Sequence, residues 1–334
     1  MILAGDIGGT KTNLGLFDAQ GGSLRERRQQ SFPSREHVGL EAIVQKFMSG
    51  VNERVEAACF GVAGPVVDGQ SVTPNLPWIV SAENLARTLD LESVLLINDL
   101  EATAHGIPAL RSEEMLTLNE GAVEQGNAAL VAAGTGLGVA SLFWDGTKHV
   151  PSASEGGHMD FAPRDLLQIE LLKHMLTKHS RVSIERVLSG PGLFNIYDFL
   201  RATGYGTEMP EIAARFADND PSSVISKAAL AHECKMCVKA LDMFAAIYGA
   251  VAGDIALTLK AIGGVYIGGG IAPKIAEKLK DGTFIGAFMD KGRLSSLVAT
   301  IPVRVILNDK TALLGAARMA RQKAEGKQGL EYRL

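Results

Sequence analysis

Two glycine turns, each set between apolar strands and far apart along the chain, constrain the fold more than any other feature. Ile2 to Phe17 reads ILAGDIGGTKTNLGLF: an apolar strand, a tight turn at Gly8-Gly9, and a second strand resuming at Thr12. Its alternation puts Leu14 and Leu16 on one face and Asn13, Gly15 and Phe17 on the other. Leu130 to Phe143, LVAAGTGLGVASLF, repeats the plan, with Gly134, Thr135 and Gly136 in the turn. A turn that recurs with both its strands points to a duplicated α/β fold whose halves face each other across one nucleotide.

Glycines suit such turns because no Cβ keeps the backbone from a bound group. Gly5, Gly8 and Gly9 fill that role in the first hairpin, where Thr10 and Lys11 add a hydroxyl and an ammonium. Exposed backbone N–H groups beside them favour an anion such as phosphate. Asp6 is the odd residue, an acid inside an apolar strand. Beside a phosphate it would repel the ligand unless a cation intervened, so Mg²⁺, held by Asp6 through water, is expected. A third turn, Gly268-Gly269-Gly270, ends the strand before Pro273, which suits a helix start. Glycine turns are common one at a time, and the information lies in their order.

With 334 residues, 46% of them hydrophobic and 21% charged, the chain has the length and composition of a two-domain globular protein. A net charge of -4 gives no reason to expect nucleic acid or an anionic membrane as partner. No apolar run is expected to span a bilayer, and because the sequence opens on a strand no signal peptide is expected. Three cysteines make no disulfide framework, so a cytoplasmic protein is expected.

Between the turns, Gly39 to Met48 reads as a helix and Val55 to Val62 as a buried strand. Asp68-Gly69 marks a turn, and Ser81 caps a helix with Leu85, Ala86 and Leu89 on one face. Val94 to Ile97 is a buried strand that stops at Asn98 and Asp99, and Leu100 to Gly106 continues as helix. Open α/β sheets bind ligands at the carboxyl ends of such strands. A domain boundary follows at Ile107-Pro108. In the second half, Asp165 and Gln168 fit a capping box for a helix over Leu166 to Leu176. Asp220-Pro221 opens a helix expected to run to about Tyr248. Its Cys234 and Cys237 share a stripe with Leu241, Phe244 and Tyr248, which favours core packing over metal. Asn308 or Asp309 is expected to cap a helix over Ala312 to Gln322 that packs back on the first domain, ahead of a loose tail at 323–334. The domains are therefore expected as 1–108 with 309–334, and 109–308.

The ordered blocks GDIGGTKT (Gly5 to Thr12), GVAGPV (Gly61 to Val66), TPNLPW (Thr73 to Trp78), INDLEATAHGIP (Ile97 to Pro108), AAGTGLGVA (Ala132 to Ala140), SEGGHMDFAP (Ser154 to Pro163), ERVLSGPGL (Glu185 to Leu193) and IGGGIAPK (Ile267 to Lys274) span nearly the whole chain. In that order they resemble the bacterial glucokinase family. The resemblance implies the two-domain, duplicated, actin-like ATPase (ribonuclease H-like) fold with a cleft between domains, and transfer of the γ-phosphoryl of ATP to the 6-hydroxyl of glucose.

Carried onto this chain, the resemblance makes Asp99 the general base. Asn75, Asn98, Glu155, His158 and Glu185 would join it in holding the sugar hydroxyls. Carboxylates that accept and amides or imidazoles that donate suit the paired hydroxyls of a sugar. The nucleotide would meet Gly5 to Lys11, Ile7 included, together with Gly134 to Gly136 and Gly268 to Gly270. Related sugar kinases and repressors carry a cysteine-rich zinc loop after the histidine matching His158. Met159 to Leu172 has no cysteine, so no structural zinc is expected, nor a DNA-binding domain ahead of Ile2. A homodimer is implied by the family alone. The alternatives are a broader hexose or mannose kinase, a sugar-binding regulator without turnover, and an actin-like filament protein.

Overall fold

The structure, a computed structural model, describes residues 1–18, 24–73, 76–122 and 124–326. It divides into two compact units. One holds Met1–Arg111 and the chain from Asn308 onward, and the other holds Ser112–Leu307.

The first unit is built on β1 (Ile2–Ile7), β2 (Lys11–Asp18), β3 (Arg25–Pro33), β4 (Ala57–Val62) and β7 (Leu95–Asn98), in the order β3-β2-β1-β4-β7. A separate hairpin pairs β5 (Gln70–Val72) with β6 (Ile79–Ser81). Asp68 and Gly69 sit at φ 49° and 70° beside it, the left-handed pair that tight hairpin turns use. The alternation read from β2 has a physical basis in two separate cores. Leu14 and Leu16 pack with Leu3, Ile7 and residues of α1 (Leu40–Met48) and α2 (Ala82–Leu89). Phe17 packs on the other side with Ile2, Ala4 and Ala102 of α3 (Asp99–Gly106). Ser81 caps α2 as expected, accepting the Asn84 N–H at 3.3 Å.

The second unit repeats the strand order with one addition. Its strands are β8 (Met115–Asn119), β9 (Ala128–Ala133), β10 (Leu137–Trp144), β11 (His149–Ser154), β12 (Gly264–Gly268) and β13 (Val303–Ile306), arranged β11-β10-β9-β12-β13-β8. Three antiparallel strands followed by two parallel ones recur in both sheets, so the duplication is one of topology. The helices are α4 (Leu166–Leu176), α5 (Gly190–Ala202), α6 (Pro210–Arg215), α7 (Pro221–Leu230), α8 (Lys235–Leu259), α9 (Ala276–Lys280), α10 (Thr283–Met289) and α11 (Ser295–Ala299). Asp165 caps α4 through the Gln168 N–H at 2.8 Å, while Gln168 reaches back to the Arg164 N–H.

Several expectations are corrected here. The helix expected from Asp220 to about Tyr248 is two helices. His232 turns left-handed at φ 55°, and the N–H groups of His232 and Glu233 close on the carbonyls of Ala229 and Ala228, a C-cap usually given to glycine. Cys234 then starts α8, its sulfur accepting the Cys237 N–H at 3.3 Å. Both cysteines are buried free thiols in the core. At 25 residues, α8 also meets the length and mean hydropathy of a membrane span, contrary to the expectation that no run does. It is apolar around most of its circumference because 78% of its most apolar window is buried in its own unit.

The last helix, α12 (Thr311–Ala324), belongs to the first unit and lies over α3 and β1, joining Leu313, Ala316, Ala317 and Ala320 to the core beside Phe17. Neither Asn308 nor Asp309 caps it. Asn308 instead accepts the Lys310 N–H at 2.8 Å in a turn before the helix, and Lys310 takes the cap position with no side-chain bond. The helix also runs through Lys323, part of the tail expected to be loose.

Candidate active site

In the first unit, the turn after β1 is braced from behind. The Gly8 N–H donates to the Lys11 carbonyl at 2.9 Å, and the Ser34 N–H to the Thr10 carbonyl at 3.0 Å. The Ser34 hydroxyl donates to the Gly8 carbonyl at 2.8 Å. Its single proton being spent there, the Thr12 hydroxyl must donate to Ser34 Oγ, 3.0 Å away. Thr12 and Ser34 are wholly buried, whereas Thr10 and Lys11 are exposed, so the turn offers its outer edge to a ligand. Two positions differ from expectation. The place of a Cβ on Gly5 is taken by the Phe60 ring, 2.3 Å from where that atom would lie, so this glycine serves packing. Ile7 is buried in the core and can meet a ligand only through its backbone.

Asp6 sits near the end of β1, directly across from Asn13 on β2, whose amide donates to Asp6 Oδ2 at 3.2 Å. Asn13 is held in turn by the Ser31 hydroxyl from β3. On the other side, Asp6 faces Gly61 of β4. A side chain there would meet Ala102 at 2.8 Å, and its absence lets α3 lie close with Asp99 at its head. Burial first, with the Asp99 and Asp309 carboxylates behind it, raises the Asp6 carboxyl to about 6 against the downward pull of the Asn13 amide. A carboxylate crowded by two others, next to a turn suited to phosphate, has the chemistry of a hard-cation partner such as Mg²⁺. Among the described residues no group of three or more His, Cys, Asp or Glu side chains is arranged to hold a metal.

Asn98 and Asp99 stand where β7 passes into α3. The Asn98 amide donates to the Gly64 carbonyl at 3.2 Å, and its oxygen accepts the Leu100 N–H at 2.9 Å. Asp99 Oδ1 accepts the same N–H at 2.9 Å. Asn98 is therefore the N-cap and Asp99 the first residue of the helix, their side chains sharing one N–H. The cap holds them at the carboxyl end of a parallel strand and leaves Asn98 one N–H for a ligand. Asp309, whose charge acts on Asp6, was weighed in the sequence only as a helix cap. Its pairing with an acid so far away left no local signal.

In the second unit, the Gly134 N–H donates to the Gly136 carbonyl at 2.8 Å, and the Gly134 carbonyl accepts the Gly190 N–H at the start of α5, also at 2.8 Å. Gly134 has nothing within 4 Å of a Cβ position, whereas Gly136 meets Glu185 Oε2 at 2.5 Å. Glu185 thus fills the space that Gly136 was expected to leave for a ligand, and it accepts the Leu137 N–H at 2.8 Å. The loop Glu155-Gly-Gly-His158 closes on itself, the His158 N–H donating to the Glu155 carbonyl at 3.0 Å. A Cβ on Gly157 would stand 2.0 Å from the Leu137 carbonyl, so this loop rests on the same first residue of β10 that Glu185 binds. Three sugar-type side chains, Glu155, His158 and Glu185, are thereby gathered at one end of β10. Glu155 and His158 are exposed, with Glu155 Oε2 3.8 Å from His158 Nε2. The third turn stands nearby, with Gly269 left-handed at φ 83° against the Ala133 carbonyl and Gly270 open. Asn75 lies outside the described residues.

Comparison with known proteins gives these arrangements a context. Residues 3–323 match the family model described as Glucokinase. A glucokinase of Nostoc sp. is 42% identical over 96% of this chain and 98% of its own length. The crystal structure of a glucokinase from an Antarctic psychrotroph superposes with a TM-score of 0.83 at 32% identity, covering 96% of this chain and 98% of that one. A ROK family glucokinase from Streptomyces griseus, solved with glucose and AMPPNP, shares the fold at TM-score 0.64 and 22% identity, over 96% and 99% of the two chains. The fold is the actin-like ATPase fold, carried here by two sheets of common topology. With the match running through every glycine turn and through the Asn98-Asp99 and Glu155-to-His158 blocks, this chain belongs to the glucokinase family, ATP-dependent sugar kinases.

Proposed function

We propose that the chain transfers the γ-phosphoryl of ATP to the 6-hydroxyl of D-glucose, with Asp99 accepting the hydroxyl proton as the oxygen attacks. The observation that carries the assignment is the Asn98 cap at the head of α3, with Asp99 sharing its Leu100 N–H. It fixes a carboxylate beside an amide at the end of a parallel strand, next to Asp6 and the phosphate-type turn. Asn98, Glu155, His158, Glu185 and, outside the described residues, Asn75 would hold the sugar. Thr10, Lys11 and the backbone from Gly5 to Lys11 would hold phosphates with Gly134 to Gly136 and Gly268 to Gly270. Where the Gly5, Ile7 and Gly136 side-chain positions are occupied by protein, the contact would be through main-chain atoms.

Phosphoryl transfer depends on positioning and charge stabilisation, and there is little covalent work for the protein to do. Mg²⁺ bound near Asp6 would neutralise the developing phosphate charge. The braced turn keeps its N–H groups in place without reorganisation, and the exposed Lys11 adds a mobile positive charge. A functional division at 108/109 and 308/309, a homodimer, a cytoplasmic location and a zinc-free protein belong to the same proposal, with neither nucleic acid nor membrane as partner.

The test is a coupled assay of ATP consumption over a panel of hexoses. Glucose should give the highest kcat/KM and yield glucose 6-phosphate. A higher value for mannose would make the chain a broader hexose kinase, and glucose binding without turnover would make it a regulator. Elemental analysis of the purified protein should find no stoichiometric zinc.

A further inference from the structure

The second and third glycine turns meet over one buried hydroxyl that the proposed chemistry does not use. Tyr248 lies within α8, wholly buried. Its hydroxyl oxygen accepts the Ala133 N–H at 3.2 Å, and its proton is within reach of the Val131 carbonyl at 3.0 Å and the Gly268 carbonyl at 3.3 Å. Val131 and Ala133 close β9, and Gly268 closes β12; the strands are parallel neighbours whose pairing stops at Ala132 and Gly268. Beyond that rung one strand enters the turn at Gly134 and the other the turn at Gly269. The phenol binds backbone groups of both strands where their ladder ends.

Ala133 is the joint. Its N–H is held by Tyr248, its carbonyl accepts the Ile271 N–H at 3.2 Å, and left-handed Gly269 packs against that carbonyl. Packing alone does not call for a hydroxyl here. The ring is surrounded by Phe244 and Phe284, with centroids 6.1 and 5.6 Å away, and a phenylalanine would fill the same space. A buried hydroxyl must find partners, and these are all main-chain groups at the roots of the two turns. Burial pushes the phenol's pKa upward, so its proton stays in place to be donated.

We propose that Tyr248 is a positioning residue that locks the Gly134–Gly136 and Gly268–Ile271 turns into one rigid surface for the nucleotide phosphates. The proposal rests on the nucleotide reading above and extends it to a residue that touches no ligand. Without the hydroxyl, the Ala133 N–H is left unsatisfied and the two turns stay tied only through the Ile271 N–H on the Ala133 carbonyl and the packing of Gly269 against it, a looser joint.

The experiment uses the full chain as wild type and Tyr248→Phe. Hydrogen exchange is followed with and without AMPPNP and Mg²⁺, and calorimetry gives AMPPNP and glucose affinities. In the ligand-free variant, exchange should rise together in the segments 133–137 and 268–271. AMPPNP affinity should fall about tenfold, the effect of one lost buried hydrogen bond, while glucose affinity stays the same. A hydroxyl serving stability alone would lower Tm and leave AMPPNP affinity untouched, and that result overturns the proposal. So does faster exchange in one segment only, or in neither. The underlying nucleotide reading is judged separately: AMPPNP must protect both segments in the wild type, and failure there removes that reading whatever the variant does. If Tyr248→Phe does not fold, Tyr248→Met fills the space with a flexible apolar chain and no hydroxyl, and the same outcomes apply.

Discussion

The turn at Gly8–Lys11 is held by side chains from its own second strand and from the short turn after β3, whereas the turn at Gly134–Gly136 is held by other backbone, one glutamate and one tyrosine. In the first, buried Thr12 and Ser34 brace the carbonyl of Gly8, and Asp6 stands at the base with Asn13 and Ser31 in line across three strands. In the second, the strand Ala128–Ala133 carries no charged side chain, and the restraints come from Gly190, Glu185 and Tyr248. The sheets share a topology, yet the halves have diverged in chemistry. One turn couples its ligand edge to a carboxylate and the other to the sugar-type carboxylate Glu185. Two sheets of common topology supply two equivalent places for a glycine turn, and the side chains behind each turn set them apart.

This difference can be broken from either side. The largest effect on stability is expected from Gly269→Ala. It would force a left-handed residue and set a Cβ 2.2 Å from the Ala133 carbonyl, a backbone atom that cannot swing away. We expect a loss of about 3 kcal/mol or more, read as a fall in chemical-denaturation midpoint.

Next comes Asp6→Asn, with the opposite sign. Asp6 binds its proton more tightly in the folded protein, at about 6 against an ordinary 3.8, so the fold disfavours the ionised form. Stability from this group is fully present below pH 4 and is lost as pH rises through about 6. The ligand-free variant should therefore exceed the wild type at pH 7 by up to about 3 kcal/mol, and the gap should close as pH falls toward 4. Thermal unfolding across that range reads it, and a gap independent of pH would contradict the burial and crowding of Asp6.

Thr12→Val removes one buried donor behind the first turn and should cost about 1 kcal/mol, with no comparable effect on exchange in the second turn. Gly134→Ala is the smallest. Its Cβ meets nothing within 4 Å, so stability should change by less than about 0.5 kcal/mol. Its KM for ATP should nevertheless rise, because the added methyl would project where a phosphate is proposed to sit.

The strands that flank the glycine turns and several helix starts are legible because they follow from local patterns. The alternation of Leu14, Leu16 and Phe17 maps onto two real cores, and Ser81 and Asp165 cap the helices they precede. The break at His232 was hidden because a histidine takes the conformation that a glycine usually signals. The true tasks of Gly5 and Gly136 were hidden for a different reason. A glycine advertises missing volume, and the sequence does not say whether a ligand, Phe60 or Glu185 occupies it. The charge of Asp309 acting on Asp6, and Tyr248 beneath two turns, link distant segments with no periodic trace. The gathering of Glu155, His158 and Glu185 at Leu137 came from resemblance, and its physical basis, two close backbone approaches to one residue, needed the structure.

The central claim is that the capped head of α3 presents Asp99 as the base of phosphoryl transfer. Its most direct test is Asp99→Asn, measured as kcat and as glucose affinity on the same preparation. An amide can keep the hydrogen bond to the Leu100 N–H and still hold a sugar hydroxyl, but it cannot take a proton. The account predicts glucose affinity near the wild-type value and kcat lower by about 10²–10⁴-fold. A variant that turns over at close to the wild-type rate would contradict it.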